Sequence, residues 1–182
     1  MNIYESCPTF VTQRYVIRLV RREDAPGLLS VYRDKNAQPY FNADNCTSNF
    51  RYTTYREMRE CVDMWVWSYE NGWFVRWVIL EKNAPIGTVE MFRRDDGDDG
   101  RGCGVLRMDV KGSSEFDDVF DELLDAMLQP MHEHFGCAEI LTKAPSFAMQ
   151  RRSSLKKNGF LPAKPMRLKN GLVCCDYWSH RA

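Results

Sequence analysis

Neither sign of charge predominates in this chain: Lys plus Arg and Asp plus Glu number 25 each in 182 residues, and the isoelectric point is near 6.8. The balance excludes a global field that would draw nucleic acid or an anionic membrane, so no nucleic acid and no membrane are expected as partners. Long hydrophobic runs are missing too. No window approaches 18 uncharged apolar residues, and the N-terminal MNIYESCPTF has neither a basic nor an apolar region. A protein neither secreted nor membrane-spanning is therefore expected. The seven cysteines lack any regular spacing, and Cys174 and Cys175 are adjacent. Reduced thiols in a cytoplasmic setting suit that pattern better than a disulfide framework. No repeat, linker or low-complexity tract divides the chain, and its length suits one core, hence a single domain over residues 1–182.

What the sequence does hold is a run of clear periodicities. YVIRLV (15–20) reads as a strand, followed by Asp24 as a helix cap and by Ala25, Leu28, Leu29 and Tyr32 at helical spacing. Residues 36–50, NAQPYFNADNCTSNF, are rich in turn formers and aperiodic, so they form a loop. Met58, Cys61, Val62, Trp65, Val66 and Tyr69 define a second helix that Asn71-Gly72 stops. FVRWVIL (74–80), PIGTVEMF (85–92) and CGVLRMDV (103–110) form an antiparallel meander. DDGDDG (95–100) lacks the ligand spacing of a calcium loop and is expected to be a hairpin tip. From Phe116 to Phe135 one apolar stripe persists for five turns, and Pro130 should kink or end that helix early. AEILTKA (138–144) is a strand, PSFAMQRRSSLKKNG a helix closed by Gly159, and LVCCDYW (172–178) a last strand. This order predicts an α+β domain with a mixed sheet.

The same order resembles the GNAT acetyltransferase superfamily, and short phrases carry the likeness further. KNAPIGTVEM (82–91) is similar to that family's hairpin with its Ile-Gly pair, and LKKNGF (155–160) to its helix-ending phrase. The early YFN, the polar loop and the Trp-containing segment before the meander look most like the Rim-type branch, which acetylates ribosomal-protein N-termini. The resemblance spans residues 14–179. It implies a mixed, mainly antiparallel central sheet flanked by helices. It further implies acetyl-CoA as co-substrate without a metal, and acetyl transfer to a primary amine, either a small molecule or a peptide N-terminus, with a homodimer as one assembly. The alternative is a catalytically inactive GNAT-fold binding protein with a degenerate CoA loop.

That alternative arises at DVKGSSEFDDVF (109–120). Family members resembling this chain bind the cofactor pyrophosphate with a Gln/Arg-x-x-Gly-x-Gly/Ala loop, where glycines admit the backbone and a helix start offers donors. Here the basic position falls on Glu115 and the glycine positions on Asp118 and Phe120. Ser114 and Asp117 stand at capping-box spacing, which would let the helix satisfy its own donors. Either CoA binding is weakened, or Lys111, Gly112, Ser113 and Ser114 take over the phosphate contacts. The backbone of Met108, Asp109 and Val110 is the expected seat of the pantetheine arm. On the following helix, Ala148 and Arg151 stand where the family carries Asn and Ser, and Leu155 where many members carry Tyr. Arg151, with Arg152, Lys156 and Lys157, either meets a phosphate or forms a solvated basic face.

Acetyl transfer to an amine needs a base, and the candidates are Glu90 and Asp109, in strand phase with their neighbours. A plain Arg107–Asp109 or cross-strand charge pair is the more ordinary explanation of each and is favoured over the catalytic one. Trp67 and Trp77 are candidates to shape an acceptor groove, while the in-phase Trp65 belongs to a core. His132, Glu133, His134 and Cys137 crowd one helix end, but residues two apart do not share a helical face, so a cationic helix terminus is expected rather than zinc. Cys174 and Cys175 have no base nearby in sequence to make a nucleophile.

Overall fold

A computed structural model describes residues 2–44, 46–95, 102–167 and 171–182. The elements run β1 (Phe10–Val11), β2 (Tyr15–Leu19), α1 (Ala25–Tyr32), α2 (Tyr55–Glu70), β3 (Val75–Glu81), β4 (Ala84–Arg94) and β5 (Cys103–Val110). They continue with α3 (Asp117–Phe135), β6 (Glu139–Lys143), α4 (Met149–Lys157), β7 (Leu161–Pro162), β8 (Met166–Arg167), β9 (Val173–Cys174) and β10 (Tyr177–Arg181). One sheet of eight strands has the order β1-β2-β3-β4-β5-β6-β10-β7, and β8 pairs with β9 beside it. Within the large sheet every neighbouring pair is antiparallel except β5 with β6. The α+β architecture expected from the sequence is the one observed.

The alternation of residues along the central strands sends two apolar sets to opposite faces. Trp77, Ile79, Val89, Met91, Leu106 and Met108 meet the α3 stripe of Val119, Phe120, Leu123, Leu124, Met127 and Met131. On the other face Val78 and Leu80 meet Leu28, Val31 and Tyr32 of α1 and Met58, Val62 and Trp65 of α2. The β3–β4 hairpin turns on Lys82 and Asn83, both left-handed at φ 47° and 67°. Two positive φ angles are what the right-handed strand twist selects in a two-residue turn.

Several local expectations are corrected. α3 runs through Pro130 to a left-handed Gly136, because residues on both sides of the proline, from Met127 to Phe135, stay buried against the sheet. Phe116 is half exposed and sits at the N-cap, outside the stripe. No Ser114–Asp117 capping box forms: Ser114 belongs to a 3₁₀ turn, Gly112–Ser114, and α3 begins only at Asp117. A capping box does form at α2, where Thr54 and Glu57 exchange bonds. Asp24 makes no side-chain cap; its carboxylate accepts from Arg18 and from the Arg21 amide instead. LVCCDYW is two strands, β9 and β10, broken at Asp176 with φ 63°. Residues 96–100 of the expected hairpin tip lie outside the described residues.

One feature of the sheet positions the site. β5 pairs with β6 only at Gly104–Ile140, Val105–Leu141 and Leu106–Thr142, although β5 continues to Val110. β6 instead follows β10 as far as Lys143 opposite Tyr177. The two parallel strands therefore part after Leu106, and the β5 backbone from Arg107 to Val110 borders the gap.

Gly87 holds the end of β5 close to β4. A Cβ there would fall 2.3 Å from the Asp109 carbonyl oxygen and 2.9 Å from Val110 Cα, both backbone atoms that cannot step aside. Gly87→Ala is expected to cost about 1–3 kcal/mol or more in urea melts, the range for overpacking, and a variant as stable as wild type would refute the contact.

Candidate active site

Strand alternation aims Arg76 of β3, Thr88 and Glu90 of β4, and Arg107 and Asp109 of β5 at the α1–α2 face. The registers Arg76–Glu90, Glu90–Arg107 and Thr88–Asp109 align them side by side. All are buried. Arg76 donates to Glu90 through Nε, at 3.1 Å, and through Nη2. Its Nη1 reaches the Tyr32 hydroxyl at 2.9 Å and Thr88 Oγ1 at 3.0 Å, and lies 3.6 Å from Asp109 Oδ2. Its guanidinium also stands 4.1 Å from the Trp65 ring centroid, a cation–π contact. Arg107 takes the other Glu90 oxygen at 2.7 Å and donates to the Asp44 carbonyl.

These bonds separate the two candidate carboxylates. Glu90 has both oxygens on guanidinium groups and is held as a counter-ion, which is the cross-strand alternative. The Arg107–Asp109 pair does not form, since Arg107 faces Glu90. Asp109 receives only the Tyr32 hydroxyl, at 3.2 Å, on Oδ2, and its Oδ1 is buried without a hydrogen-bond partner among the described residues. With the Tyr32 hydrogen given to Asp109, Thr88 is the donor of the 2.7 Å bond those two hydroxyls share. Burial pushes the Asp109 carboxyl above its ordinary range, opposed by Arg76 and then Arg151. Burial likewise keeps the Tyr32 phenol neutral, well above its usual value. Tyr32, Arg76 and Thr88 were not among the sequence candidates. The strand phase of Arg76 and Thr88 with Glu90 was available as a signal, whereas Tyr32 reads from sequence only as part of an apolar helix stripe.

Most amides of the loop between β5 and α3 are met within the protein. The amides of Ser114, Glu115, Phe116, Val119 and Phe120 donate to nearby carbonyls, and the Asp118 amide to the Asp117 carboxylate. The Gly112 amide donates to the Asp34 carboxylate at 2.9 Å, and a Cβ on Gly112 would strike Asn36. Glu115 and Arg151 form a buried two-pronged ion pair, with Nε and Nη2 at 2.8 and 2.9 Å from the two carboxylate oxygens. Phe120 lies under the same guanidinium at 4.7 Å. The remaining acids point elsewhere: Arg14 bonds Asp118 and Glu122, and Asp121 is met by Ser154, Lys157 and Asn158. Nor is the α4 basic face simply solvated, since Arg151 is buried and Arg152 stacks over Trp178.

No protein-family model and no curated protein matches the chain. Solved structures do match along nearly its whole length. RimJ of Mycobacterium smegmatis, solved with a CoA disulfide, superposes with a TM-score of 0.73 at 13% identity, covering 96% of this chain and 88% of that one. An acetyltransferase of Salmonella typhimurium that modifies the N-terminal serine of a 50S ribosomal subunit protein gives 0.69 at 12% identity, covering 94% and 96%. A microcin self-immunity acetyltransferase, MccE, solved with acetyl-CoA and AMP, gives 0.72 at 8% identity and 93% of both chains. The fold is that of the GNAT acetyltransferases.

On this GNAT fold, loop 36–50 lies across the gap between β5 and β6. Asn42 is buried and donates to the Tyr177 hydroxyl at 3.1 Å. Asp44 holds Lys143 of β6 at 2.8 Å through both carboxylate oxygens and accepts from Tyr177 at 3.3 Å. Asp44, Phe92, Val105, Arg107, Met166 and Tyr177 line a cavity of about 20 Å³ there, which is room for a water. None of the loop's contacts was legible from its aperiodic sequence.

Trp67 and Trp77 are not brought together. Trp77 is fully buried on the α3 side, donating to the Pro8 carbonyl, because its strand phase sends it to the core. Trp67 is 45% exposed on α2, edge-on to Trp73 at 4.6 Å. A shared acceptor wall is thereby corrected. His132 bonds the Cys137 carbonyl at 2.7 Å and His180 at 2.9 Å, and no metal-holding cluster occurs among the described residues.

Two outcomes test the network. Arg76→Met strands Glu90 and Asp109 with one fewer cation in a buried site and should destabilise the protein by roughly 3–5 kcal/mol in urea melts. Asp109→Asn tests the sign of the titration. A carboxyl whose native pKa is raised favours the native state most below its unfolded value and loses that contribution as pH rises through the native pKa. The stability of Asp109→Asn relative to wild type should therefore improve as pH rises above about 4, the ordinary carboxylate value; a constant difference would contradict it.

Proposed function

We propose that the protein transfers an acetyl group from acetyl-CoA to a primary amine, with a peptide N-terminus as the first acceptor to examine. The observation that carries this reading is the parting of β5 from β6 after Leu106, on the stretch of β5 that holds Asp109, whose Oδ1 is buried without a partner among the described residues. A buried polar atom left unpaired is costly and marks a site where a ligand, a substrate or a water completes the bonding. Asp109 is the general base in this reading: burial makes it a better proton acceptor than an ordinary carboxylate, and Tyr32 and Arg76 fix its other oxygen. Glu90 serves as the counter-ion that keeps Arg76 in position. Met108, Asp109 and Val110 offer backbone groups along the gap for an extended arm, as the GNAT resemblance implies.

The diphosphate end of acetyl-CoA fits less directly. Of the expected contacts, Gly112 is engaged by Asp34 and Arg151 by Glu115. Ser113 and Ser114 lie on a tight turn, and Lys111 leads into it. Those internal pairs support a second reading, a non-catalytic GNAT-fold binding protein. A homodimer belongs to the same set of proposals, as does a cytoplasmic setting. No helix among the described residues is long and apolar enough to cross a membrane.

Titration calorimetry with acetyl-CoA, followed by mass spectrometry of an amine acceptor peptide, separates the two readings. Binding and a product heavier by one acetyl group are expected. No heat at about millimolar ligand, weaker than roughly 4 kcal/mol of binding free energy, with the protein folded, would remove the enzyme reading. A thermal shift with another metabolite and none with CoA would favour the second.

A further inference from the structure

We propose that Asp34 and Glu115 are internal anions seated on the donors of a diphosphate-ester site, and that a ligand binds by exchanging them off Gly112 and Arg151. Arg151 is 1% exposed, so its charge needs an anion beside it whether or not a ligand is present. Glu115 supplies one in the two-pronged geometry in which a guanidinium also receives two phosphate oxygens. Asp34 does the equivalent at a backbone amide, accepting from Gly112 at 2.9 Å.

The partners differ in how freely they can move. Arg151 belongs to α4, and its neighbours Ser154 and Leu155 are buried. Glu115 follows the Gly112–Ser114 turn and precedes the first residue of α3, so its withdrawal breaks no helical turn. Asp34 lies just beyond the end of α1, in the connection leading to loop 36–50. In each pair the carboxylate side chain is the partner that would have to turn away, and Asp34 would give up its bond from the Asn36 amide as well. Of the other acids at the start of α3, Asp118 and Glu122 are held by Arg14 and Asp121 by Lys157, while Asp117 accepts only from the Asp118 amide among the described residues. The Glu115 amide bonds the Gly112 carbonyl at 3.3 Å, and two carboxylates on donors gathered at that turn call for a ligand with two linked anionic groups. A single phosphate would displace one of them and leave the other in place.

The exchange rests on the acetyl-CoA reading only for the identity of the natural ligand, and its test is separable from catalysis. Calorimetry with inorganic pyrophosphate and with CoA compares wild type, Glu115→Gln, Asp34→Asn and the neutral pair Glu115→Gln with Arg151→Gln. Glu115→Gln should tighten both ligands about tenfold or more, since a charge-assisted competitor is removed. Asp34→Asn should give a smaller gain, and the neutral pair should lose the gain altogether. A folded Glu115→Gln that binds pyrophosphate no tighter than wild type overturns the exchange, as does a gain that persists without Arg151. Should Glu115→Gln fail to fold, Asp34→Asn decides, and no gain there overturns it equally. If the affinities behave as expected but no variant acetylates an amine, the exchange stands and the enzyme reading falls.

Discussion

A single buried guanidinium, that of Arg76, is the constraint around which the sheet and its α1–α2 face are organised. It lies on β3, binds Glu90 on β4, reaches Thr88 on the same strand, approaches Asp109 on β5 and meets Tyr32 from α1. A buried cation is tolerated only when its hydrogen bonds and its charge are both answered. Answering them here fixes the register of three strands and the placement of one helix at once. The Trp65 ring closes the remaining side, so α2 is tied to the same charge.

The network also divides labour between two carboxylates that look equivalent by type. Glu90 faces two guanidinium groups and has no oxygen to spare. Asp109 lies one register step further along, where Arg76 only grazes it and Arg107 has turned to Glu90. The free oxygen of Asp109 follows from that geometry, on the part of β5 that continues beyond Leu106, the last residue paired with β6. Gly87 has no side chain to push the Asp109 backbone away, so β4 keeps its contact with β5 up to the end of the strand.

At the start of α3 the charges that a GNAT fold would direct toward a cofactor have turned inward. An acid stands on the loop and a base on α4, the reverse of the arrangement that the family resemblance implies for the loop, and the two neutralise one another. Counted along the chain, Glu115 and Asp118 of DVKGSSEFDDVF fall on the basic position and a glycine position of the family's loop. In the folded protein Glu115 and Asp118 each have a cation from a different element, Arg151 and Arg14, while Asp117 accepts from the Asp118 amide.

The α3 stripe, the α2 periodicity and the three meander strands were legible from sequence, because burial on one face imposes a period of 3.6 or 2 on local composition. Strand phase also set Glu90 with Thr88 and Asp109 with Arg107, each within its own strand. What the sequence could not supply was which partner each charge takes, since Arg76, Arg107, Arg151 and Arg14 find their acids up to 108 positions away. The same holds for loop 36–50, whose Asp44 meets Lys143 across 99 positions and which has no period to read. Trp77 was misread because its type suits a groove as well as a core, and only its strand's place against α3 decides between them. The sequence by itself determined the elements and their buried faces, which follow from local hydrophobic patterning. Tertiary structure alone decided which carboxylate is left with an open oxygen and which cation is already taken, because electrostatic pairing depends on distance in space and not on separation along the chain.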